Sequence, residues 1–215
     1  MSENLIRKYL NFPLILYLKL HFMEIIFATN NINKIKEIQS FINGKLSIKS
    51  LAECGITEDI PEPYFTFEEN ARAKAMYVYK KTGCSCFAED SGIVVPALNG
   101  DPGVLSARYS GEHGNDKANN IKLLSNLNSI NYRRAYYKAV ICLVVNENEV
   151  YYFDGECWGS IAEQVQGDGG FGYDPLFIPE GYSDTFGVLG MEVKNQLSHR
   201  SKAVRKLVEY IDSKY

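Results

Sequence analysis

Apolar and polar residues follow two different periods along the chain, and the switches between them divide it into elements. Residues 24–28 form a short apolar run that predicts a buried strand. In residues 34–42, Ile35, Ile38, Phe41 and Ile42 fall three and four positions apart, the spacing of one helix face. Residues 46–50 predict a second strand, followed by a polar, proline-containing loop through Pro63. Thr66 and Glu69 stand at capping-box spacing, so a helix is expected from there to about Lys80, stopped by Gly83. Residues 84–88 read as a strand that delivers Glu89, Asp90, Ser91 and Gly92 at its carboxyl end, with extended structure resuming over 93–95. The glycine-rich stretch 99–115 predicts an irregular connection. Residues 116–127 predict a helix with Ala118, Ile121 and Leu124 or Leu127 on its buried side. Two long extended runs, 136–146 and 150–165, flank residues 146–149 and signal an antiparallel hairpin. A last helix is expected over 199–212, where Ala203, Val204, Leu207, Val208 and Ile211 make an apolar stripe. Strand–helix alternation early and a long hairpin late predict an α/β fold with a mixed β-sheet flanked by helices.

Composition bounds this picture. A chain of 215 residues suits one domain, and 46% hydrophobic with 23% charged residues is the balance of a soluble globular protein. The formal charge of -3 gives no electrostatic reason to expect a duplex nucleic-acid partner, yet it leaves room for a local basic pocket and a small anionic substrate. Five cysteines, an odd number, do not suggest a disulfide framework, and Cys84 and Cys86 read as structural residues of an apolar segment. Near the N-terminus, the apolar run 12–18 follows Arg7 and Lys8 in the manner of a signal peptide. Lys19 interrupts it, no good small-residue cleavage site follows, and it is too short to span a bilayer. Residues 1–22 are therefore expected to be a dispensable N-terminal extension ahead of one domain, 23–215, with no membrane attachment and a cytoplasmic location.

Three segments carry chemistry. Thr29, Asn30, Asn31, Ile32, Asn33 and Lys34 join the first strand to the first helix, where amides without intrahelical acceptors and a lysine can hold phosphate. The full glycine and lysine pattern of a P-loop is missing, and a plain structural loop is the alternative. Glu89 and Asp90 are adjacent carboxylates able to coordinate Mg²⁺ or orient water, with Gly92 allowing a sharp change of direction; an acidic surface turn is the alternative. Residues 167–175 (Gly-Asp-Gly-Gly-Phe-Gly-Tyr-Asp-Pro) combine glycines that permit close backbone approach with Phe171, which can stack on a base, and Asp174, which can orient a polar edge; a tight loop after the hairpin, with Phe171 filling a core gap, is the alternative. Lys194, His199 and Arg200 add positive and hydrogen-bonding groups around the start of the terminal helix; an ordinary helix-surface arginine and a buried polar histidine are the alternatives for the last two.

Taken in order, these segments resemble the inosine-triphosphate pyrophosphatase, or HAM1-like, family of noncanonical purine nucleoside-triphosphate pyrophosphatases. The resemblance runs from about residue 24 to residue 207. It is carried by residues 27–34 (Phe-Ala-Thr-Asn-Asn-Ile-Asn-Lys), 67–71 (Phe-Glu-Glu-Asn-Ala), 88–92 (Ala-Glu-Asp-Ser-Gly) and 98–103 (Leu-Asn-Gly-Asp-Pro-Gly). It continues through residues 106–111 (Ser-Ala-Arg-Tyr-Ser-Gly), 169–175 (Gly-Gly-Phe-Gly-Tyr-Asp-Pro) and 194–200 (Lys-Asn-Gln-Leu-Ser-His-Arg). The resemblance implies an elongated fold of two lobes around a central cleft, commonly a homodimer. It also implies Mg²⁺-dependent hydrolysis of ITP, dITP and XTP to the monophosphate and pyrophosphate. By matching position, residues Thr29 through Lys34 become the phosphate-binding loop and Lys74 a basic phosphate contact. Glu62 and Asp90 become the metal-site carboxylates, Asp90 also orienting or activating water, with Glu89 in a lesser, supporting role. Ser91 becomes a substrate contact, and Phe171, Gly172, Tyr173, Asp174, Lys194, His199 and Arg200 the nucleotide and base pocket.

Three positions depart from the family pattern. Asn30 and Asn33 stand where glycines are usual, Asn33 being able to adopt left-handed geometry; Glu89 replaces the first of two aspartates; and Glu62 lies in a weakly matched loop between Pro61 and Pro63. Two other readings are a Maf-like pyrophosphatase acting on modified pyrimidine nucleotides or dTTP, and a catalytically silent nucleotide-binding protein. The segments around Phe171 and Arg200 argue against the first.

Overall fold

The computed structural model describes residues 23–42 and 46–214; the expectation for residues 1–22 lies outside them. The chain forms β1 (Met23–Phe27), α1 (Ile32–Gln39), β2 (Leu46–Lys49), α2 (Phe67–Thr82), β3 (Cys86–Val94), α3 (Asp116–Asn126), β4 (Arg134–Asn146), β5 (Glu149–Ile161), β6 (Phe177–Pro179), α4 (Phe186–Leu197) and α5 (His199–Lys214). Short 3₁₀ turns occupy Ala52–Cys54, Pro96–Leu98 and Gly103–Arg108.

One six-stranded sheet, ordered β2-β1-β3-β4-β5-β6, organises the described chain. β1 runs parallel to β2 and β3, and every later pairing is antiparallel, so the sheet is mixed as the alternation predicts. The hairpin strands β4 and β5 have 13 residues each, roughly 40 Å at ordinary strand rise, which gives the sheet its length. Successive side chains alternate across it. Ile25, Phe27, Phe87, Ala139, Ile141 and Leu143 pack against Ala203, Val204 and Leu207 of α5 on one face. Ile26, Ala28, Cys86, Ala88, Cys142 and Val144 pack against Ala71, Ala75 and Val78 of α2 on the other. A third core, around Ile93, Leu123, Leu127, Tyr137, Phe177 and Phe186, gathers at the far end of the hairpin. Strands covered on both faces lose their period-two signal, which is why β4 reads as a nearly continuous apolar run.

Several boundaries differ from expectation. α1 starts at Ile32, two residues early, because Asn31 caps it by accepting from the amides of Asn33 and Lys34. Asn33 is thus a residue of the first helical turn; neither it nor Asn30 has positive φ. At α2 the Thr66 hydroxyl accepts from the Glu69 amide and donates to the Glu69 carboxylate, and Gly83 closes the helix at φ 68°. The buried side of α3 is Asn119, Asn120 and Leu123, continuing to Leu127, while Ile121 is 60% exposed. β3 does not stop at Glu89: it runs unbroken to Val94, and residues 89–92 lie in its middle. Gly92 serves close packing instead of a turn, since a Cβ there would lie 2.2 Å from the Gly103 carbonyl oxygen. β5 ends at Ile161, short of residue 165. Among the described residues, no helix is long and apolar enough to cross a membrane.

Candidate active site

A cavity of about 620 Å³ opens between the loop after β1, the middle of β3 and the segment before β6. It brings together every residue expected at the site except Ile32, which is 58% exposed on the outer side of α1, and Glu89, which lies beneath the wall.

Glu89 and Asp90 separate for a simple reason. A continuous strand turns neighbouring side chains to opposite faces, so Glu89 points with Phe87 toward α5 and Asp90 with Ala88 toward α2. Adjacent in sequence, they do not form one acidic pair. Asp90 meets Lys74 of α2, whose ammonium lies 3.6 Å from Asp90 Oδ1, contacts Glu62 and donates to the Glu89 carbonyl at 3.0 Å. Arg108 closes the other side of Glu62, with Nη1 3.3 Å from Oε2 and Nη2 donating to the backbone oxygen at 3.2 Å. Burial alone would lower the Lys74 pKa, but Asp90 and Glu62 outweigh it and hold the amine charged. Burial pushes the Asp90 carboxyl above its usual range, with Lys74 opposing and Glu62 reinforcing. Glu62 stays below its usual range because Lys74 outweighs burial.

Among the described residues no cluster of three or more His, Cys, Asp or Glu forms a metal cage. The site still fits a hard divalent ion: Asp90 Oδ2 is buried with no hydrogen bond, Glu62 faces the same space, and both are oxygen donors. Mg²⁺ uses one or two carboxylates in this way and completes its shell with water and substrate oxygens.

The opposite wall is built on α5. Gly155 of β5 lets the start of this helix press onto the sheet, since a Cβ there would lie 2.1 Å from the His199 carbonyl oxygen. Arg200, 2% exposed, grips Glu89 with Nε and Nη2 at 2.8 and 2.9 Å, donates to Ser91 Oγ at 3.1 Å and contacts Glu37. Lys194 of α4 lies 2.8 Å from Glu37 and 2.5 Å from Asp174. Asp174 also accepts from the Phe171 amide at 2.9 Å and the Tyr137 hydroxyl at 3.3 Å, in space that Gly170 leaves open. Three buried carboxylates, Glu37, Glu89 and Asp174, thus meet two buried cations, and the half-buried Lys34 approaches Glu89 at 3.9 Å. Burial would raise the Glu37 and Glu89 pKa values; Arg200, aided by Lys194 at Glu37 and Lys34 at Glu89, outweighs it and keeps both ionised. The His199 ring stacks on Tyr137 at 4.7 Å, and burial with neighbouring Arg200 holds it neutral. The Phe171 ring sits 4.4 Å from the Lys194 ammonium and 5.6 Å from the Arg200 guanidinium carbon.

In the loop after β1, Thr29 Oγ1 accepts from the Asn31 amide at 3.1 Å, and Asn31 takes those of Asn33 and Lys34. Part of the helix-start donor set is therefore already engaged. Glu37, Arg108 and Tyr137 were missed as site residues. Glu37 had a signal: it falls one helical turn from Lys34, on the same face. A larger open hollow of about 1060 Å³, between residues 131–134 and β6, contains none of the candidate groups.

Comparison with known proteins places the chain in a family. Residues 25–210 match the Ham1 family. A dITP/XTP pyrophosphatase of Flavobacterium psychrophilum is 49% identical over 188 residues, covering 87% of this chain and 98% of that protein. The dITP/XTP pyrophosphatase of Porphyromonas gingivalis is 47% identical over 87% of this chain and 97% of its own length. In three dimensions the Staphylococcus aureus Ham1 protein superposes with a TM-score of 0.82 at 37% identity, covering 90% of this chain and 100% of that one. On sequence and fold together, the chain belongs to the Ham1 family.

Proposed function

We propose that this protein hydrolyses ITP, dITP and XTP to the nucleoside monophosphate and pyrophosphate. The observation that carries this is one cavity joining a carboxylate–lysine end, Asp90, Glu62 and Lys74, to a pocket of buried cations under the Phe171 ring. Relatives bearing dITP/XTP pyrophosphatase activity in their names support the substrate class.

Lys34, Lys74 and Arg108 receive the triphosphate and offset the charge that gathers on its oxygens in the transition state. Glu62 and Asp90 would hold Mg²⁺, which supplies Lewis-acid charge neutralisation when bound. With Oδ2, the oxygen without a hydrogen bond, turned toward the ion it would hold, Asp90 would orient water toward the α-phosphorus. At the other end Phe171 covers the base, while Lys194 and Arg200, held mainly by Asp174, Glu37 and Glu89, each keep one further N–H to offer its edge. A 6-keto oxygen accepts from such donors; the amino group of adenine would set donor against donor.

All five cysteines are free thiols, which supports action in a reducing compartment such as the cytoplasm. A homodimer is the assembly that goes with the resemblance, and sedimentation tests it. The activity is tested with XTP, dITP, ATP and dTTP in H₂¹⁸O, resolving pyrophosphate from orthophosphate. Label in XMP with unlabelled pyrophosphate is expected; orthophosphate release, or preference for dTTP or ATP, overturns the proposal.

A further inference from the structure

Asp116 and Asn120 stand four residues apart on α3, hence on one face in successive turns. Asp116 Oδ2 accepts from the Gly172 amide at 2.7 Å, and Asn120 Nδ2 donates to the Gly172 carbonyl at 3.0 Å. One helix therefore holds both polar groups of a single residue more than fifty positions away in sequence. Gly172 has φ 64°, a left-handed conformation open to glycine, and no side chain with which to anchor itself. A loop as glycine-rich as 167–172 would otherwise sample many conformations, and a ligand that needed one of them would bear the ordering entropy.

Phe171 precedes the clamped residue. Its own amide is fixed by Asp174, so the backbone is held immediately before and after the ring that covers Lys194 and Arg200. The clamp is anchored in turn. Leu123 and Leu127 are fully buried, Asn115 caps α3 by accepting the Ala118 amide, and Asn119 ties the helix to Ser110 and Ala107.

We propose that Asp116 and Asn120 are positioning residues that preset Phe171 against the nucleobase, so that base binding does not have to order the loop. This rests on the nucleotide reading of the cavity given above. Asp116→Ala and Asn120→Ala are each expected to raise KM for XTP by about tenfold with kcat changed less than about twofold, while inhibition by inorganic tripolyphosphate, which has no base, stays constant. Asp116→Asn, which keeps an acceptor for the Gly172 amide, should return KM to within about threefold of the parent. In a Phe171→Ala background the clamp has nothing left to position, so adding Asp116→Ala should change KM by less than about twofold. A tenfold rise that persists in that background, or an equal loss of tripolyphosphate affinity, would show a general structural role and overturn the proposal. An unchanged KM in both single variants would overturn it too. Failure of the parent enzyme to turn over XTP would instead overturn the nucleotide reading.

Discussion

At the base end of the cavity, Arg200, Lys194, Glu37, Glu89 and Asp174 are nearly solvent-free, and each charge meets an opposite one at ion-pair distance. At the carboxylate end, Asp90 keeps an oxygen without a hydrogen bond, Lys74 is buried between it and Glu62, and Glu62 and Arg108 are partly exposed. In the first region the charges stand in pairs, since a buried charge without its partner is costly. The second holds groups in reserve, which suits charge that arrives with a substrate. The proposal therefore places discrimination in the end of paired buried charges and chemistry in the end where Asp90 keeps an open carboxylate oxygen.

The largest effect is expected for Asp90→Asn. The variant should fold, since it removes a carboxylate that burial disfavours, yet lose about a thousandfold in kcat for XTP. Turnover near the parent value would remove Asp90 from the mechanism. Its strand neighbour should behave in the opposite sense. Glu89, expected from sequence to be a supporting carboxylate of lesser effect, is the bidentate partner of Arg200. Glu89→Gln should destabilise the fold by about 3 kcal/mol, seen as a lower urea midpoint with an unchanged slope. A midpoint equal to that of Asp90→Asn would erase the distinction between the two faces of β3.

Smaller effects sharpen the picture. Lys34→Ala and Arg108→Ala should each raise KM by about tenfold for XTP and dITP alike, because phosphate contacts do not read the base. A loss confined to one base would move that residue to the other end of the cavity. A chain beginning at Met23 keeps β1 and the whole of loop 29–34. Its kcat/KM for XTP is expected within about threefold of the full chain, less than roughly 0.7 kcal/mol. A drop above about tenfold would make residues 1–22 an integral part of the enzyme.

Elements whose apolar positions keep one period were legible from sequence: β1, α2 with its Thr66 cap and Gly83 stop, and the stripe of α5. α4 was not, because Gly187 and Gly190 interrupt its pattern and Gly190 breaks helical geometry at φ 78°. The continuity of β3 was hidden for a different reason. Gly92 looks like a turn residue until Gly103 and Ser106 are found packed against it, which is a tertiary fact. The same holds for charge. Glu37 has the look of a solvent-facing helix residue, and its partner Arg200 lies 163 positions away. Motif order named most of the cavity wall, but could not say that Glu89 leaves it or that Arg108 joins it.

The division of labour is tested most directly by the ratio of kcat/KM for XTP to that for ATP, measured in Lys74→Ala and Lys194→Met after both are shown to be folded. Lys74→Ala should lower both substrates in proportion and leave the ratio within about twofold of the parent, whereas Lys194→Met should collapse it by about tenfold or more. A ratio that moves in Lys74→Ala, or stands unchanged in Lys194→Met, would contradict the assignment of chemistry and base choice to opposite ends of the cavity.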